Sequence, residues 1–141
     1  MNEQTDPRAE LARRIEAIAS GYEFLLAYAA QGRETDRGPG QGRSVRDFLE
    51  RMEQALDGIA GIVTACAKAA VPPMDAIGAP FFAAVEADAR VSRSAIALLR
   101  AKSDISSQLV DNLNASIHLR ALLTDLFIVD EVLKGKQPAN N

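Results

Sequence analysis

The sequence predicts an all-α protein: one domain over residues 1–141, folded as an antiparallel up-down four-helix bundle with a long Gly-rich loop between helices one and two. Three observations lead there. Apolar residues recur at alternating three- and four-residue steps through most of the chain, the spacing of a helix face. No segment shows the strict alternation of a half-buried strand. Pro and Gly gather where the periodic runs stop.

The first helix is predicted from Pro7 to about Gln31. Asp6 caps it, and Pro7 takes the first helical position, where a missing N–H costs nothing. Leu11, Ile15, Ile18, Tyr22, Leu25 and Ala29 form its seam, and Gly32 is a natural stop. The run Gly32 to Arg43 then has four glycines, one proline and no apolar side chain, so it is expected to be a flexible loop. Ser44 caps helix two, with Asp47 at capping-box spacing. That helix carries Val45, Leu49, Met52, Leu56, Ile59, Val63, Cys66 and Ala70 inward. Its uncharged half, Ile59 to Ala67, is expected to be buried nearly all round, with Gly58 and Gly61 allowing close backbone contact. It ends at Val71-Pro72-Pro73, because a residue before proline is pushed out of the α region.

Pro80 opens helix three, which turns Phe81, Phe82, Val85, Ala89, Ile96 and Leu99 inward. Ser103 or Asp104 caps helix four, which holds no Pro or Gly, and Gly135 ends it. This last helix has two apolar stripes. The wide one holds Ile105, Leu109, Leu113, Leu119, Leu123, Leu126 and Leu133. A narrower one lies roughly opposite: Val110, Ile117, Ala121, Ile128 and Val132. One stripe suffices for a surface helix, so the second is expected to be an interface, with a homodimer as the first expectation. A long bent rod, made by joining helices three and four, is the other arrangement compatible with the pattern.

Composition narrows the function. Hydrophobic residues make up 48% and charged residues 25%, ordinary for a folded domain. A net charge of −3 gives no electrostatic footprint for nucleic acid. Cys66 is alone, which excludes an intramolecular disulfide and a cysteine-based metal site. Ile59 to Ala67 is too short to cross a bilayer, which takes about 20 residues. The N-terminus lacks the basic-then-apolar order of a signal peptide. The expectation is a cytoplasmic protein with no nucleic-acid partner, no membrane association, no metal and no cofactor.

Candidate chemistry is sparse. Ser107, Asp111, Asn114, His118 and Asp125 line a polar strip between the two stripes of helix four. Asn114 and His118 stand four apart, so their side chains can meet, and Asp111 lies one turn further back. A histidine held by an amide and a carboxylate can shuttle a proton. Asn112, Ser116 and Asp130 interrupt the wide apolar stripe, where polar residues set register or line a small pocket. Di-iron bundles use a Glu-x-x-His motif, but Ala115 occupies the Glu position here. Arg33, Arg37 and Arg43 sit among the glycines of the loop, a composition suited to an anion or a protein partner. Two functions are thereby expected. The first is a non-enzymatic interaction protein (an adaptor, assembly or regulatory factor) acting by self-association and partner binding. The alternative is a small-molecule binder or enzyme with a pocket between helices two and four near His118, lined by Met52, Ile59, Asn112 and Ser116.

Overall fold

Local capping rules act where the sequence places them. In a computed structural model describing residues 6–38 and 44–134, Asp6 caps α1 (Pro7–Ala29) by accepting from the Arg8 N–H. Ser44 and Asp47 form a reciprocal capping box on α2 (Val45–Leu56). The remaining helices are α3 (Ile59–Ala69), α4 (Ala79–Arg100), α5 (Ser107–Asn114) and α6 (Ile117–Leu133). The described residues are all-helical, with six helices where the sequence pattern suggests four.

Both differences are helix breaks with a local cause. Helix two divides because Gly58 takes a positive φ of 74°, a conformation that interrupts the helical ladder and that glycine adopts without steric cost. The two halves keep the same neighbours, α1 and α4, so the apolar seam from Val45 to Cys66 stays buried across the break. Gly58 and Gly61 do not bring backbones together; a Cβ at either would meet open space. Nor is α3 buried all round, since Gly61 and Ala65 are exposed and line shallow clefts against α4. The close approach lies elsewhere. A Cβ at Gly21 of α1 would come within 2.5 Å of the buried Met52 side chain of α2.

Helix four divides at Ala115-Ser116, where Ser116 leaves the α region at ψ 127°. Asn112, Asn114 and Ser116 are weak helix formers in helix interiors, and Asn114 is drawn off to α1, donating its amide to the Leu25 carbonyl at 3.1 Å. The fourth-helix cap is Ser106, not Ser103 or Asp104, and its Oγ accepts from the Leu109 N–H.

Core packing centres on α1, which touches α2, α3, α5 and α6, while α4 closes the other side of α2, α3 and α6. Leu11, Ile18, Leu25, Leu49, Met52, Ile59, Ile96, Leu119, Leu122 and Leu126 are fully buried. Val71 and Pro72, where the helix-two pattern stops, are joined by a cis peptide bond.

The expected flexible loop is tied down through its described part, residues 32–38. Arg33 and Ser107 bond reciprocally: the Arg33 N–H donates to Ser107 Oγ and the Ser107 N–H to the Arg33 carbonyl, each at 2.8 Å. Asp36, with a side chain only 8% exposed, pairs with Arg46 of α2 at 2.7 Å and accepts from the Ile105 N–H at 2.9 Å. Arg46 also donates to the carbonyl of Arg100, an orphan acceptor at the end of α4, and to those of Lys102 and Ser103 just beyond it. Burial alone would raise the Asp36 carboxyl, but the Arg46 guanidinium and the Ile105 N–H more than offset it and hold the carboxyl below its usual range.

Two outcomes follow for stability. Arg46→Met strands a buried carboxylate, with an expected loss of about 3 kcal/mol in urea unfolding at pH 7. Because Arg46 holds the folded Asp36 carboxyl below its usual range, protonating the stranded carboxylate in the variant relieves the penalty, so the loss shrinks as pH falls through the carboxylate range. Gly21→Ala forces the Met52 side chain aside and is expected to cost about 1–3 kcal/mol in the same measurement.

Candidate functional site

The seam between α4 and α6 holds the chain's single histidine beside a run of exposed apolar side chains on α6. Phe81 and Phe82, early in α4, lie with Val129 and Leu133, late in α6, while Asp88 meets His118 near the start of α6. The two helices therefore run antiparallel. His118 Nδ1 stands 3.1 Å from Asp88 Oδ1. Asp125, two turns beyond His118, also reaches Asp88. Burial pushes the Asp125 carboxyl up, the Asp88 charge adds to the shift, and the hydrogen bond between the two carboxyls adds further. Such a cluster can hold a proton between two acids. Among the described residues, no group of three or more His, Cys, Asp or Glu is disposed to hold a metal ion.

Several sequence-predicted site residues fall apart from one another. The break at Ser116 sets Asn114 and His118 on different helices: Asn114 is buried against α1, and His118 is exposed and turned to α4. Buried Asn114 Oδ1 has no partner among the described residues. Asp111 and Asn112 are exposed on α5, and Asn112 accepts from Gln108 at 3.4 Å. Ser116 is half-buried at the start of α6. The cleft of about 540 Å³ between α3 and α4 takes Ile59 from the predicted pocket set, but its lining does not include Met52, Asn112, Ser116 or His118. Its walls are Gly58, Gly61, Arg90, Arg93 and Ser94 among others.

Loop arginines are engaged within the fold. Arg33 donates to the carbonyls of Thr35 and Arg37 and lies over the Tyr28 ring. Arg37 donates to the Ser103 carbonyl and pairs with Asp104 at 3.6 Å. Arg43 lies outside the described residues.

The narrow stripe of helix four is split by the same break. Val110 is fully buried inside the chain and is unavailable to a partner. The remaining members stay together on α6: Ile117, Ile128 and Val132 are 72%, 46% and 53% exposed, with Ala121 half-buried between them. Exposed Ile77 continues the patch where it borders an apolar groove of about 130 Å³ with Met74, Phe82, Ile128 and Val132. Asp88 was not legible in the sequence as a site residue. Its signal was a carboxylate beside the core position Ala89, one turn from Val85, too common a pattern to single out.

No helix among the described residues is long and apolar enough to cross a membrane. Comparison of the chain with protein-family models, with curated proteins and with solved structures returns no match.

Removing the charge at Asp125 tests the seam. A carboxyl whose pKa is raised in the fold is destabilising when ionised, so Asp125→Asn is expected to raise the thermal midpoint at pH 7. The gain should vanish below about pH 3.9, where the acid is neutral in both states. A lower midpoint at pH 7 would contradict the assignment.

Proposed function

We propose that this chain is a non-enzymatic helical interaction protein, an adaptor, assembly or regulatory factor, that works by self-association and by binding protein partners. One observation carries the reading: the apolar stripe of exposed Ile117, Ile128 and Val132 with half-buried Ala121 on α6, continued by exposed Ile77 across the groove. Single exposed apolar side chains are ordinary on a protein surface, but a contiguous patch marks a surface that is covered in use. Each Å² of such surface left in water forgoes roughly 25 cal/mol, which a partner recovers. The His118–Asp88–Asp125 cluster borders this patch and fits the same reading as the polar rim of an interface.

The test is the mass of the native particle. Wild-type protein is expected to run as a multiple of the 15.1 kDa chain in native mass spectrometry and light scattering. Ile117→Glu combined with Ile128→Glu should give a monomer with unchanged helical circular dichroism, because both positions are exposed. An oligomer that survives this pair of charges would refute the proposal.

A further inference from the structure

We infer that the α6 stripe is covered by the α6 stripe of a second copy, packed antiparallel about a two-fold axis that passes beside Thr124. The inference rests on the self-association reading above and specifies its geometry.

The stripe is symmetric about its own midpoint. Ile117 lies seven residues before Thr124, and Val132 lies seven after Asp125. Ala121 lies three before Thr124, and Ile128 three after Asp125. An antiparallel copy therefore lays Val132 over Ile117 and Ile128 over Ala121, a large side chain against a small one. A parallel copy would stack Ala121 on Ala121 and Ile128 on Ile128, leaving a gap at one level and crowding at the other. Thr124, at the centre, is small, and its hydroxyl is already satisfied by the Arg120 carbonyl at 3.1 Å. Helix axes can close there to about 8–10 Å without stranding a polar group.

Charge points the same way. The first turns of α6 carry His118 and Arg120, and the last full turn carries Asp130 and Glu131. Arg120 and Glu131 are eleven residues apart, about three turns, so they share a flank of the stripe. Arg120 makes no side-chain ion pair among the described residues, and Glu131 is held only by its exposed neighbour Lys134 at 3.3 Å. In the antiparallel arrangement Arg120 faces the partner's Glu131, and the pair occurs twice per dimer. A parallel arrangement turns that flank toward the opposite flank of the partner, so Arg120 and Glu131 do not meet, and it aligns the two helix dipoles unfavourably.

Charge reversal tests the register, with dimer dissociation measured by analytical ultracentrifugation. Arg120→Glu and Glu131→Arg are each expected to weaken the dimer about tenfold, since each creates two like-charge contacts. The double variant restores both pairs with the signs exchanged, so its dissociation constant should return to within about threefold of wild type. Failure of the double variant to recover overturns the antiparallel register. Cross-linking gives a second readout, free of interference because Cys66 is buried. Thr124→Cys should oxidise to a covalent dimer, whereas Val132→Cys should not. The two Val132 positions would lie about 22 Å apart, and a disulfide needs Cα atoms within about 7 Å. Covalent dimer from Val132→Cys, with none from Thr124→Cys, overturns the geometry while leaving self-association standing. A wild-type chain that stays monomeric at about 50 μM, near the affinity of weak complexes, overturns both.

Discussion

The ion pair between Asp36 and Arg46 is the constraint on which one end of the molecule depends. Its members come from the loop after α1 and the first turn of α2, but the same guanidinium also closes the carbonyl end of α4. Asp36 in turn holds the Ile105 N–H, just before α5. Tyr28 of α1 completes the arrangement by donating its hydroxyl to the Ile105 carbonyl at 2.6 Å. Four helix ends meet over a handful of polar atoms. A buried charge pair is a weak source of net stability, yet breaking one partner is costly, so such a pair fixes geometry more than it adds energy. Here it fixes how α1, α2, α4 and α5 converge.

That convergence explains which parts of the fold were legible in the sequence. Helical class, most core positions and the Asp6 and Ser44 caps follow from period and local chemistry, which need no knowledge of the partner. The ordered loop does not. Its glycines, charges and lack of apolar side chains read as a linker, because a polar segment has no hydrophobic signal to announce where it docks. Asp36 is ordered by Arg46 and Ile105, residues 10 and 69 positions away in the chain.

The candidate site was legible in part, for a related reason. A helical wheel drawn from Ser103 to Lys134 assumes one continuous phase. Ser116 breaks that phase, burying Val110 while leaving Ile117 exposed, although seven-residue spacing would put them on one face. The four α6 members survive because they lie on one side of the break. Asn114 and His118 do not survive as a pair because the break runs between them. Asp88, which His118 meets instead, is 30 residues away on another helix, a pairing that only tertiary structure supplies. Asn112, Asn114 and Ser116 are the available warning: as register-setting residues (112 and 116) or members of a polar strip (114) they fit a continuous helix, but their backbone preference is for ending one.

Arg8, at the start of α1, donates to the Leu133 carbonyl at the end of α6. The first and last described helices are therefore stitched together at these ends, the Arg8 side chain reaching the Leu133 backbone. In terms of chain connectivity, the order of the helices is not essential to their packing. A linker from Lys134 to Asp6, with the backbone reopened among the exposed residues Val71 to Pro73, is therefore expected to give a rearranged chain that still forms the six helices.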